Sequence, residues 1–132
     1  MKYVFQVIVG GIGSALTYLF GGGSALLGIL LAFVVTDYIT GILAAGSKGE
    51  LNSAIGFKGI GRKIGIFVLV AIAHLVDRAL GDGTLIRDAA IFFYLANELL
   101  SIIENVGVIG VPIPEVLLKA VDILRGKSDP QS

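Results

Sequence analysis

The stretch "GILLAFVVTDYITGILAA", residues 28–45, decides the fold, because it is an apolar run of membrane-spanning length with an acidic residue inside it. Asp37 is the only charged residue between Ser24 and Ala45. A helix that crosses a bilayer needs about 20 mainly apolar residues. A charged side chain within it costs roughly 3 kcal/mol on insertion scales and usually has a partner or a function. The stretch therefore predicts a membrane span whose Asp37 is paired with something elsewhere in the chain.

The composition places the whole chain in the membrane class. Of its 132 residues, 55% are hydrophobic and only 15% are charged, too few charges to cover the surface of a water-soluble domain of this size. The length fits one domain. The absence of cysteine excludes disulfides, thiol catalysis and thiolate metal sites. We expect a single all-α integral membrane domain without a cofactor, a metal or a nucleic-acid partner.

Four apolar segments have roughly spanning length, at residues 4–20, 24–45, 64–80 and 85–103. "GGG" at 21–23 and "GDGT" at 81–84 are turn sequences, so we predict two antiparallel hairpins joined by a polar loop over 46–63. The N-terminal Lys followed by an apolar run also resembles a signal peptide. More membrane sequence follows it instead of a cleavage site and a polar domain, so we expect it to be retained as the first span.

Basic residues predict the orientation of these spans. The central loop carries Lys48, Lys58, Arg62 and Lys63 against a single acid, Glu50, whereas neither tight turn contains Lys or Arg. The positive-inside rule places such a loop in the cytoplasm. An even number of spans then places both termini in the cytoplasm, together with the remaining basic residues near the chain ends.

The C-terminal tail is predicted to form an amphipathic helix over about 113–125. Pro114 suits the first turn of a helix and Gly126 its end. Its apolar positions (Val116, Leu117, Ala120, Val121 and Leu124) lie opposite its charged positions (Glu115, Lys119, Asp122 and Arg125). Two interpretations remain open, a cytoplasmic helix lying on the lipid headgroups and a helix that binds a partner or a second copy.

Charged residues also occur at the outer end of the second predicted hairpin. If residues 81–84 form a tight turn, Asp77 lies diagonally opposite Arg87, and Arg78 lies opposite Asp88. Two such ion pairs would clamp the hairpin. Alternatively, all four side chains reach individually to water at the membrane surface.

A polar stripe is predicted along the fourth span, where polar residues recur every three to four positions: Tyr94, Asn97, Glu98, Ser101, Glu104 and Asn105. Such a stripe must face other helices, other subunits or water. Asp37 lies at nearly the same depth as Glu98, and Lys63 at the mouth of the third span can reach down to Glu98. We therefore expect Asp37 to face this stripe, which we interpret as an oligomer-forming or pore-lining surface.

Small residues recur at four-residue spacing in three segments, as the pairs Gly10 and Ser14, Gly41 and Ala45, and Gly61 and Gly65. This spacing lets membrane helices approach closely, and we expect these positions to serve helix packing. No nucleophile–base set or phosphate loop is visible, so the sequence predicts no enzyme. The single histidine, His74, lies on an apolar helix and is expected to be a packed residue.

The order and spacing of four blocks resembles the phage lysis and toxin-secretion holin family. They are "DYITGILAA", "LNSAIGFKGIGRKI", the Asp of "HLVDRAL" and "FYLANELLSIIENVGVIGVPIPEVL", covering about residues 30–125. The resemblance implies a small multi-pass protein of the bacterial inner membrane that oligomerises into lesions and so serves an endolysin, without necessarily binding it, or exports a toxin. The positions that match the family pattern are Asp37, Gly41, Ser53, Gly56, Lys63, Asp77, Asn97, Glu98, Ser101, Glu104 and Asn105.

Two other classes of protein remain as alternatives. A small ion-channel or transporter subunit also has carboxylates within its spans, but it typically shows an internal repeat or a cluster of polar groups at the midplane. A membrane adaptor would recruit partners through the tail helix. Neither alternative requires an active site.

Overall fold

The computed structural model describes residues 1–21 and 24–130, and these residues form five α-helices. Four helices are long and apolar enough to cross a membrane. They are α1 (Lys2–Phe20), α2 (Ala25–Ser47), α3 (Ser53–Leu80) and α4 (Leu85–Ile109), and the shorter α5 (Glu115–Lys127) follows them. This architecture confirms the predicted all-α membrane fold with four spans and a C-terminal helix.

Side-chain caps fix where two of these helices begin. The Ser24 side chain accepts a hydrogen bond from the Leu27 N–H at 3.1 Å, and the Asn52 side chain accepts one from the Ile55 N–H at 2.9 Å. Each cap satisfies a backbone donor that has no partner inside its helix. Because Asn52 starts α3, the polar stretch after it is helical.

The connection between α2 and α3 is consequently much shorter than the predicted loop over 46–63, since only residues 48–52 lie outside the two helices. The glycines of early α3 weaken it as an isolated helix. Contacts with α2 compensate, because the Tyr38 ring lies over Gly59 and its hydroxyl donates to the Gly56 carbonyl at 3.4 Å. The polar sequence marks the end of the membrane segment, and the helix continues beyond it.

The end of α4 also lies beyond residue 103, where the fourth predicted segment ends. The helix continues through Gly107 and ends at Gly110, whose φ of 106° is a left-handed conformation that favours glycine. With 28 and 25 residues, α3 and α4 are about 42 and 37 Å long. Both exceed the roughly 30 Å of a hydrocarbon core, so each extends beyond it.

Helix α4 is the centre of the bundle, packing against α2, α3 and α5. The main buried cluster joins α2, α3 and α4 and consists of Leu30, Val34, Val70, Ile91 and Leu95. In lipid such a cluster stabilises the bundle by close van der Waals packing, because lipid tails are as apolar as the side chains. The bundle therefore holds α2, α3 and α4 in fixed register at the level of their polar residues.

Helix α1 is only loosely attached to this bundle. Phe20 packs edge-on against Phe67 of α3 with ring centroids 6.4 Å apart, and every other side chain of α1 is exposed. An apolar cleft of about 600 Å³ lies between α1 and α2. The first predicted hairpin is therefore not a packed pair of helices, because α1 contacts α3 instead of α2. The predicted turn at 21–23 lies partly outside the described residues.

Gly21 closes α1 and places it against the bundle. It has a left-handed φ of 80°, and a Cβ at this position would lie 2.7 Å from the His74 ring. Both the backbone conformation and the space require glycine. His74 itself is buried, as expected for a packed residue, and its Nδ1 has no hydrogen-bond partner among the described residues.

Candidate functional site

Three helices bring the charged residues of the spans together at one level. Lys63 of α3 donates to a carboxylate oxygen of Asp37 on α2 and to Glu98 Oε2 on α4, the latter at 2.7 Å. The two acids are only 6% and 5% exposed. The structure thus confirms that Asp37 faces α4 and that Lys63 reaches Glu98. We call Asp37, Lys63 and Glu98 the charge cluster.

Asn105 ties the charge cluster to the next turn of α2. Its side-chain amide donates to Asp37 Oδ1 at 2.9 Å and to Thr40 Oγ1 at 3.1 Å. The two backbones approach closely here, since a Cβ on Gly41 would lie 3.5 Å from Asn105 Nδ2. The predicted small residue Gly41 therefore does lie at a helix contact. Thr40 was not predicted, although its position three residues after Asp37 places it on the same side of α2.

A cavity of about 370 Å³ opens beside the charge cluster, between α2, α3 and α4. Its lining includes Arg62, Ser101 and Asn105, and it extends to Leu51 in the connection between α2 and α3. Two carboxylates facing one ammonium leave one uncompensated negative charge if all three are ionised. A cavity of this size can hold water beside Asp37 and Lys63, and such water reduces the free energy required to hold that charge.

The predicted polar stripe of α4 is divided between two faces of the helix. Glu98 and Asn105 point into the bundle, and Ser101 and Tyr94 lie half-buried on the same side. The remaining two residues of the stripe, Asn97 and Glu104, are exposed. They are seven residues apart and therefore share a face about 100° away from Glu98. The sequence pattern correctly found the polar residues but merged these two faces into one.

The turn end of the second hairpin, around residues 81–84, is held by a carboxylate that binds backbone N–H groups. Asp77 is 4% exposed, and its two oxygens accept from the N–H groups of Ile86 and Arg87 at 2.9 and 2.8 Å. These are donors in the first turn of α4, which lack partners within their own helix. A negative charge there also interacts favourably with the helix dipole. Asp77 thus caps α4 from the end of α3.

The predicted ion pairs Asp77–Arg87 and Arg78–Asp88 are wrong, since neither forms among the described residues. Arg87 instead pairs with its neighbour Asp88 at 3.1 Å and donates to the Phe20 carbonyl at 3.1 Å, and Arg78 donates to the Gly83 carbonyl. Asp77, Arg78 and Arg87 therefore bind backbone groups that have no partner at the helix ends, although charge alone would pair them with other charged side chains. Arg87 in this way anchors the end of α1.

Replacing Asp77 with alanine should destabilise this end of the molecule strongly. Two buried N–H groups would lose their acceptor, and α4 would lose its cap, for an expected loss of about 2–4 kcal/mol. Thermal unfolding of the purified protein in detergent measures the effect. Asp82→Ala in the exposed turn removes an acid of the same type and is the control. Equal unfolding temperatures for the two variants would contradict the capping role.

The glycines of the other two predicted pairs show no such close approach within the described residues. No atom outside the local backbone lies within 4 Å of a Cβ built at Gly10, Gly61 or Gly65. Ser14 is exposed, and Ala45 is half-buried beside the cavity. Their role in helix association therefore stays a prediction for contacts between subunits.

Comparison with known proteins points to one family. The sequence profile of the bacteriophage holin family matches residues 14–126. A protein of Listeria innocua is 49% identical over 128 residues, covering 97% of this chain and 91% of that protein. A 14.9 kDa protein of Clostridium perfringens is 39% identical over 131 residues, covering 96% and 99%. The probable holin of Bacillus phage phi105 is 35% identical over 115 residues, covering 87% and 84%. No solved structure matches the chain.

Proposed function

This chain belongs to the bacteriophage holin family, and we propose that it oligomerises in the inner membrane of a host bacterium to form lesions that release or activate an endolysin. The similarity to the probable holin of phage phi105 extends over most of the chain and supports this role. The proposal requires neither a catalytic residue nor a cofactor. Export of a toxin through the same lesion would use the same assembly with a different cargo.

The observation that carries the proposal is the exposure of Asn97 and Glu104 on a helix of spanning length. A polar side chain on the outside of a single subunit must face lipid, another subunit or water, and lipid is the least favourable of these. Asp37, Glu98 and Asn105 are already bonded within the subunit. We therefore assign subunit contacts or pore lining to Asn97 and Glu104, and stabilisation of the single subunit to the charge cluster and Asn105.

We further propose that the connection between α2 and α3 and both termini lie in the cytoplasm. A cysteine at Lys48 should then resist an impermeant thiol reagent added outside intact cells, whereas a cysteine at Gly83 should react before any lysis. The chain has no native cysteine, so each variant reports one position. A cysteine at Gly22, which lies outside the described residues, tests the first span. If Lys48→Cys is labelled and the cysteines at Gly22 and Gly83 are not, the orientation is the reverse of the proposed one.

Co-expression with an endolysin tests the function itself. The endolysin should lack a signal sequence, so that it stays in the cytoplasm until the membrane is breached. We expect a lag, then abrupt loss of optical density that requires both proteins, and earlier lysis when an uncoupler is added during the lag. The matched control is the same endolysin with an empty vector.

The outcomes also separate the alternatives. Lysis with only a secreted endolysin would indicate small lesions that act by depolarising the membrane. Slower growth without lysis by either endolysin would favour a narrow ion channel and contradict the holin role. Unaffected growth would favour a membrane adaptor.

A further inference from the structure

Helix α5 lies along α4 and contacts it through the C-terminal part of its apolar stripe, whereas Val116 and Leu117 at its start are exposed. Val121 is only 4% exposed and shares a cluster with Ala96 and Ile103 of α4. Leu124, one turn later, packs against both this cluster and the main buried cluster of the bundle. The tail helix is therefore docked on the bundle and does not extend away from it.

The docking site lies at the depth of the membrane. Ala96 lies about 16 Å along α4 from its outer end at Leu85, and Ile103 lies about 27 Å along it. The hydrocarbon core is roughly 30 Å thick. A docked α5 thus occupies the cytoplasmic half of that core, with its C-terminal end nearest the midplane.

The opposite side of α5 carries charges that are incompatible with lipid at this depth. Lys119, Asp122 and Arg125 are all exposed, and no ion pair joins them to another helix in the described part of the chain. Long basic side chains can extend toward the membrane surface, but the short side chain of Asp122 cannot. A lone subunit in lipid with α5 docked would therefore hold unpaired charge in hydrocarbon, which is strongly unfavourable.

We propose that α5 exchanges between two positions, which rests on the proposed lesion-forming function. In a subunit dispersed in lipid, α5 lies on the cytoplasmic surface with its apolar stripe in the headgroup region. In the assembly it docks along α4, and Lys119, Asp122 and Arg125 face the water that fills the lesion. Residues 110–114, between the two helices, contain no helix and provide the hinge.

Cross-linking of paired cysteines tests the exchange in intact cells. Val121→Cys with Ala96→Cys places one thiol on each side of the docked contact, and the volume lost at Val121 offsets most of the volume gained at Ala96. Cells expressing this variant without endolysin are treated with a short, membrane-permeant bifunctional thiol reagent before and after addition of an uncoupler. The expected result is a several-fold rise in intramolecular cross-linking after the uncoupler. The pair Lys119→Cys and Ala96→Cys, with one thiol on the outer side of α5, is the control and should stay low.

Labelling of Lys119→Cys alone reports permeabilisation separately from the exchange. An impermeant thiol reagent added outside should label it only after the uncoupler, because an open lesion admits the reagent to this residue in either position of α5. Suppose that the cells are permeabilised but that cross-linking of Val121→Cys with Ala96→Cys is equal before and after the uncoupler, or absent at both times. Either result would overturn the exchange. If cells are never permeabilised by the unsubstituted protein, the proposed function itself fails.

Discussion

Replacing Lys63 with methionine is expected to destabilise the subunit more than any other single substitution in its spans. Lys63 is the one cation that bonds both Asp37 and Glu98 within the charge cluster. Methionine retains much of the side-chain length but removes the charge, which leaves two buried carboxylates facing each other. Removing one partner of a buried ion pair typically costs about 3–5 kcal/mol. We expect a large drop in the amount of protein in the membrane fraction and in its unfolding temperature in detergent.

The neighbouring residue provides a matched control. Arg62 is also basic and also borders the cavity, but it is exposed and belongs to none of the ion pairs found in the described residues. Arg62→Met should therefore change stability little. Adding Asp37→Asn and Glu98→Gln to Lys63→Met removes the uncompensated charge and should restore most of the loss. If Lys63→Met is as stable as Arg62→Met, the charge cluster does not hold the three helices together.

Replacing Asp37 or Glu98 should destabilise the subunit less than replacing Lys63, because removing either acid leaves a one-to-one ion pair. Asp37→Leu and Glu98→Leu are expected to insert into the membrane and to alter the time of lysis or prevent lysis. Asp37→Leu should have the larger effect, since Asn105 also loses its carboxylate acceptor. Normal lysis timing in both variants would mean that the charge cluster contributes only to packing and has no role in lysis.

The helices could largely be predicted from the sequence, whereas some of their ends could not. Hydropathy reports the segments that lie in lipid, so it located all four spans. It does not report where a helix stops, and residues 53–63 are polar yet helical because Asn52 caps them and Tyr38 covers their glycines. For the same reason, the fourth predicted segment ends at residue 103, and hydropathy does not predict the C-terminal turns of α4 that follow.

The charge cluster was predictable because helical rise fixes depth. Counting residues along α2 and α4 placed Asp37 level with Glu98, and the position of Lys63 followed. Rotation about the helix axis was harder to infer, since the polar residues of α4 cover two faces. The partners of Asp77 could not be inferred from charge at all, because they are backbone N–H groups that every sequence carries.

Replacing Asn97 and Glu104 together with leucine is expected to abolish lysis without unfolding the subunit. Both side chains are exposed, and neither has a partner among the described residues that the change would leave unpaired. Hydrogen bonds between membrane helices contribute roughly 0.6–2 kcal/mol each, and a ring of identical subunits repeats them at every interface. A modest loss per contact thus becomes a large loss for the whole assembly.

The measurement combines lysis timing with cross-linking of the subunits in the membrane. Thr36→Val is the control, because it removes an exposed polar group from a span on a different helix, and it should leave lysis timing unchanged. Glu104→Gln, which keeps hydrogen bonding but removes the charge, separates pairing from pore hydration. If Glu104→Gln still forms oligomers but lyses late, Glu104 faces the water-filled interior. If Glu104→Gln no longer forms oligomers, Glu104 lies at the contact between subunits. Normal lysis by the double leucine variant would rule out this face of α4 for both roles.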